Sequence, residues 1–171
     1  MNADVQPPAG PGPRPAILLR PVINEDEFPV LVEVWRSAVD ATHDFVEEVD
    51  LWEIEGMLAA AYLPNARVTV AEVDGRPVGF TGTADGRLEM MFVHNDHRHH
   101  GVGSALLDHV IREEGVVELE VNEQNQQALG FYLAHGFEVS GRRDVDDAGR
   151  PSPLLHLTLR SPSISARPDR P

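Results

Sequence analysis

Between residues 28 and 39 the apolar side chains Phe28, Leu31, Val32, Trp35 and Val39 recur at helical spacing, which puts them on one face of a helix. Asn24, with Glu27 three residues later, makes a capping box ahead of it, and Pro29 sits early, where a helix tolerates it. A short strand, Ala16 to Arg20, precedes this helix and is closed by Pro21. A second helix is predicted over Leu51 to Leu63, stopped by Pro64. From Arg67 the period drops to two. The runs RVTVAEV, VGFTGTA and LEMMFV are separated by Asp74-Gly75 and Asp85-Gly86, the turn chemistry of tight hairpins, so three antiparallel strands are expected. Helical spacing returns at Gly103, Leu106, Leu107, Val110 and Ile111, as far as Gly115. A strand at VVELEV (116–121) follows, then a helix that starts at Asn125, has Ala128, Phe131, Tyr132 and His135 on one face, and ends at Gly136. Strands near Phe137 to Gly141 and at Leu154 to Leu159, with a DDAG turn between them, close the series. This order predicts an α/β (α+β) domain: a mixed, mostly antiparallel central sheet of about six to seven strands flanked by about four helices.

Residues 1–15 (MNADVQPPAGPGPRP) and 161–171 (SPSISARPDRP) are rich in Pro, Gly, Ser and Ala and nearly devoid of large apolar side chains. Such segments cannot offset their own ordering entropy and read as disordered tails around one domain over 16–160. No apolar run approaches the roughly 20 residues needed to cross a bilayer, and the N-terminus lacks a signal-peptide pattern, so a soluble, cytoplasmic protein is expected. The chain has no cysteine, which excludes disulfides, thiolate metal sites and a cysteine nucleophile. Its formal net charge is −14, with 28 acidic residues against 14 basic ones, a field that repels nucleic acid and anionic membrane and favours a cationic partner such as an amine. Every basic residue is arginine; without a lysine there is no phosphate loop of the GxxxxGK[ST] type.

Candidate chemistry concentrates in HNDHRHHGVGSALLDHVI (94–111). Four histidines, His94, His97, His99 and His100, raise the question of a metal, but they form no regular i, i+4 pair, and Asp96 is the one carboxylate close by, so no metal site is assigned. The geometry favours an anion. A strand feeds the loop Arg98-His99-His100-Gly101-Val102-Gly103-Ser104, which opens directly into an amphipathic helix. The first turn of a helix leaves N–H groups unpaired and carries partial positive charge. Glycines at 101 and 103 allow an anion close to the backbone, and Arg98 adds a charged fork; a pyrophosphate fits that description.

The RxxGxG pattern of residues 98–103, between LEMMFV and SALLDHVI, resembles the acetyl-CoA pyrophosphate loop of the GNAT N-acetyltransferases. NQQALGFYLAHGF (125–137) is similar to that family's second signature, NxxAxxFYxxxGF. Three further stretches, SAVDATHDFV (37–46), VNEQNQQALGFY (121–132) and VDDAGRPSPLLHL (145–157), resemble the bacterial YjaB-type acetyltransferases. The resemblance covers about residues 16 to 160 and implies acetyl-CoA as co-substrate, no metal, and a ternary complex with a primary amine, most simply a peptide or protein amine.

Three tasks follow for such a reaction. The amine has a reference pKa near 10.4 and must lose a proton. Alternation places Glu89, Met91 and Val93 on one strand face, and Glu118, Glu120 and Asn122 on another. Glu120, five residues before Asn125, matches a general-base position in some family members, and Glu89 is its rival. For the oxyanion, the resemblance implies a backbone N–H at a strand bulge within Met91-Phe92-Val93, where the pantetheine also pairs. For the departing thiolate, it implies Tyr132 as general acid, beside the helix start at Asn125. Trp35, His43, Asp44 and Phe45 form an aromatic and polar group suited to the acceptor wall. Other readings are a small-molecule amine acceptor (a polyamine or an antibiotic), a non-catalytic CoA-binding module acting through a partner, and, more distantly, a nucleotide-binding protein. The chain would act as a monomer or a homodimer.

Overall fold

The computed structural model describes residues 12–42 and 47–161. Most of both expected tails, and the link carrying His43, Asp44 and Phe45, lie outside the described residues. Within them a seven-stranded sheet runs in the order β1-β2-β3-β4-β5-β7-β6. Its strands are β1 (Leu18–Pro21), β2 (Arg67–Val73), β3 (Arg76–Ala84), β4 (Arg87–Val93), β5 (Glu118–Asn122), β6 (Phe137–Arg143) and β7 (Leu154–Leu159). The four α-helices are α1 (Phe28–Thr42), α2 (Glu48–Met57), α3 (Val102–Glu114) and α4 (Gln126–Ala134). The predicted fold class is the observed one. All neighbouring strands are antiparallel except β4 and β5, which run parallel because α3 carries the chain back across the sheet between them.

Two helical layers cover the sheet. On one face Leu31, Val34, Trp35 and Val39 of α1 pack with Leu51 of α2 against Val68, Val70 and Phe80 of β2 and β3. On the other, α3 packs against Ala71, Val73 and Val78 through Val102 and Leu106, and against Leu88 and Leu119 through Leu107 and Val110. Strands β2 and β3 are therefore buried along nearly their whole length rather than on alternate residues, as expected of strands covered on both faces. The hairpin turns form as the Asp-Gly pairs require: Asp74 and Gly75 have φ of 50° and 75°, Asp85 and Gly86 of 50° and 77°.

Local chemistry moves several predicted details. Asn24 Oδ1 accepts from the Asp26 N–H at 2.9 Å, and Glu27 accepts from Ile23 N–H at 2.7 Å instead of from Asn24. The same Glu27 carboxylate also binds Arg20 at 2.6 Å, so the expected box is drawn towards β1. Residues 25–27 form a 3-10 turn before α1, and the inward face of α1 includes Val34 and Ala38, with Val32 only partly buried. The second helix begins three residues early, at Glu48, and ends through a π turn (Leu58–Tyr62) and a 3-10 turn at Pro64.

Candidate active site

Strands β4 and β5 pair only at Arg87↔Glu118 and Leu88↔Leu119. Beyond Leu88 they diverge, and a cleft of about 710 Å³ opens between them. The divergence starts at a bulge: on β3 Gly82 pairs with Met90 and Thr83 with Leu88, leaving Glu89 as the extra residue of β4. The bulge thus lies at Glu89, two residues before the stretch the resemblance suggested. It also interrupts the expected alternation, since Leu88 and Met91 pack in one cluster while Met90 and Phe92 pack in the opposite one. Glu89 itself lines the cleft.

One end of the cleft is the loop before α3. Asn95–His97 make a 3-10 turn, His99 adopts φ 62°, and Gly101, at the helix N-cap, has φ 86°. That left-handed backbone lets the chain turn so that α3 begins against the cleft, and at Gly101 only glycine adopts it without strain. Arg98, His99, Gly101, Gly103 and Ser104 line the cleft, whereas Val102 is buried beneath and His100 is exposed outside the lining. The Arg98 guanidinium donates to Gln127 Oε1 at the start of α4, so two helix N-termini and one cation converge at this end. An anion is the ligand such an arrangement holds.

Helix α4 forms the second wall. The Asn125 side chain accepts from the Ala128 N–H at 3.1 Å, and Asn125 lines the cleft while capping the helix. Tyr132 lies about two turns beyond Asn125, 8% exposed, between Phe131 (ring centroids 5.4 Å) and Phe137 (6.0 Å). It borders the cleft, and burial pushes its phenol above the ordinary tyrosine value, so it keeps its proton at neutral pH.

The acidic end is organised by arginines. Leu119 and Val121 face the core, which leaves Glu118, Glu120 and Asn122 on the other face of β5, as alternation predicts. Glu120 accepts from Arg143 at 2.7 Å and lies 3.7 Å from Arg87. Glu89 lies 3.5 Å from Arg87 and accepts no hydrogen bond among the described residues. His156 sits 3.3 Å from Glu118.

Trp35 is not part of the wall: it is 2% exposed within the core formed by α1, α2 and the sheet. The lining that α1 does supply comes from Ala38 and Thr42. Sequence reasoning also missed Gln127 and the Arg87–Arg143 clamp on Glu120, contacts that join residues 23 or more positions apart and carry no local signal. Among the described residues no three histidine, aspartate or glutamate side chains are grouped to hold a metal ion, and no helix is long and apolar enough to cross a membrane.

Residues 64–139 match the acetyltransferase (GNAT) domain model. The chain is 41% identical over 133 residues to the peptidyl-lysine N-acetyltransferases YjaB of Salmonella typhimurium and Escherichia coli, an overlap of 77% of this chain with 91% and 90% of theirs. The solution structure of apo-form YjaB from Escherichia coli superposes with a TM-score of 0.77 at 39% identity, over 84% of this chain and 97% of that one. Identity of that extent over most of both sequences, on a shared fold, makes the chain a member of the GNAT acetyltransferase family and an acyltransferase.

Proposed function

We propose that the protein transfers the acetyl group of acetyl-CoA to a lysine side-chain amine of a peptide or protein. The observation that carries this reading is the parting of β4 from β5: it opens a slot between an anion-binding helix N-terminus and a buried tyrosine, the layout a thioester with a pyrophosphate tail requires. The lysine acceptor is drawn from the similarity to relatives named peptidyl-lysine N-acetyltransferases.

In this reading Arg98 and the N–H groups at Gly101 to Ser104 hold the pyrophosphate, and the open edge of β4 along Met91-Phe92-Val93 aligns the pantetheine and offers N–H groups to the oxyanion. The amine nitrogen attacks the thioester carbon, and the C–S bond breaks. Glu89, whose carboxylate has no hydrogen bond among the described residues, takes the amine proton directly or through water. Glu120 is engaged by Arg143 and holds the arginine network in place. Tyr132 donates its proton to the departing sulfur. His43, Asp44 and Phe45 remain our candidates for contacts with the acceptor.

Calorimetric titration with acetyl-CoA, alongside Arg98→Ala, tests the cofactor end. Micromolar binding is expected, weakened about ten-fold or more by loss of a charge-assisted contact. Thiol release with lysine peptides and with polyamines then tests the acceptor; the absence of cysteine removes any protein thiol background. Turnover with polyamines but not with peptides would reverse the acceptor assignment.

A further inference from the structure

His135, at the end of α4, touches the anion loop through a two-sided hydrogen bond. Its Nδ1 lies 2.7 Å from the Phe131 carbonyl oxygen and its Nε2 lies 3.1 Å from Ser104 Oγ. A carbonyl only accepts, so Nδ1 carries a hydrogen. In the neutral ring Nε2 is then bare and must accept the Ser104 O–H. In the imidazolium Nε2 donates to Ser104 Oγ, and the serine hydrogen is free to turn elsewhere. Ser104 lines the cleft in the first turn of α3, where the anion is placed. The ring is held in this position: it lies against Phe131 at 4.2 Å between centroids, tilted by 40°, and Phe131 in turn packs against Gly103.

We propose that His135 is a positioning residue that couples proton uptake to cofactor binding by switching the Ser104 hydroxyl from donating to His135 to donating to a phosphate oxygen. The inference rests on the reading of the loop as the pyrophosphate site. Among the described residues no carboxylate lies within ion-pair distance of His135. On α3 the nearest acid along the chain is the exposed Asp108, and the loop before it carries Arg98, His99 and His100. Any response of those loop histidines to the anion is common to wild type and a His135 variant and cancels in their ratio.

By reciprocity, if protonation of His135 favours the anion, the anion raises the proton affinity of His135. The test follows the His135 imidazole by NMR across pH, assigned by its loss in His135→Gln, with and without saturating CoA. The midpoint is expected to rise by about one pH unit on binding in wild type and by less than half as much in Ser104→Ala. In parallel, the ratio of wild-type to His135→Gln affinity for CoA should grow as pH falls from 8 to 6, by about ten-fold at most in total, the coupling that a one-unit midpoint shift allows. An unmoved midpoint with CoA bound overturns the coupling alone, and an equal rise in Ser104→Ala overturns the hydroxyl switch. Failure of wild type to bind CoA at any pH overturns the functional reading and this inference together.

Discussion

At the scale of single residues, burial separates the groups that can act from those that only support. Tyr132 is buried among apolar side chains at the edge of the cleft, and in the proposed reaction it gives its proton to the departing thiolate. Tyr132→Phe is expected to lower kcat by about 10²- to 10⁴-fold, the usual worth of a positioned acid, while the acetyl-CoA Kd stays within about two-fold. Steady-state thiol release and calorimetry on one sample measure both, and full turnover in the variant would remove Tyr132 from the mechanism. The two carboxylates are separable in the same way. Glu89→Gln should cut kcat by about 10²-fold or more, since it removes the proton acceptor. Glu120→Gln leaves Arg143 with Asp147 as its remaining partner, and is expected to act chiefly on KM and thermal stability. Reversal of that pattern would make Glu120 the base.

At the scale of elements, the seating of α3 on β3 decides where the anion loop lies. A methyl group built at Gly79 would come within 3.1 Å of both the Phe92 carbonyl oxygen and Val102, and 3.2 Å from Leu106. Gly79→Ala therefore forces the first turns of α3 away from the sheet. Overpacking of this kind costs about 1–3 kcal/mol, and because the displaced turns are those proposed to hold the pyrophosphate, acetyl-CoA affinity should fall with the melting temperature. Unchanged values of both would mean the helix has room the distances deny. Gly79 also marks where the sequence stops being legible. Element types and order were readable because apolar periodicity, Asp-Gly turns and a capping Asn are local signals, and the two family signatures placed Arg98, Gly101, Asn125 and Tyr132 on the right elements. The bulge at Glu89 and the close approach at Gly79 depend on what packs opposite them, which no window of sequence contains. Trp35 is a different case: helical spacing already set it on the apolar face with Leu31 and Val39, where it is buried, and its assignment to the acceptor wall went against that signal.

At the scale of the whole molecule, acid and salt should act on different properties. Glu27 is held below the ordinary glutamate value of 4.5 by its hydrogen bond from the Arg20 guanidinium, against the opposing effect of burial. Asp146 feels burial most, which raises it, but the N–H and guanidinium of Arg150 outweigh that and leave it below 3.8. Both groups bind protons less readily folded than unfolded, so the stability they contribute is present above those ordinary values and is lost as pH falls below them. Thermal melts should be flat from pH 7 to about 5 and fall steeply below 4.5, with the fall reduced in Arg20→Gln. A melting temperature that drops equally in the variant would assign acid sensitivity to other carboxylates.

Net charge governs the encounter with the acceptor rather than the chemistry. The chain carries −14, and among the exposed acids Asp144 and Asp147, in the connection from β6 to β7, are 85% and 90% accessible. The connection follows Arg143, the residue that clamps the cleft-lining Glu120, and in the proposed reading the acceptor approaches past these charges. A lysine flanked by arginines is drawn in by this field, whereas one flanked by glutamates is repelled. The field reaches about 30 Å at 0.01 M salt and about 8 Å at 0.15 M, so salt removes the steering while leaving contacts inside the cleft nearly intact. KM for an arginine-flanked lysine peptide should therefore rise several-fold between about 20 and 200 mM NaCl, KM for a glutamate-flanked peptide should fall, and kcat should hold for both. Initial rates of thiol release on the paired peptides measure this directly. Parallel salt responses for the two would mean that the acceptor is chosen within the cleft and that the acidic surface serves only solubility.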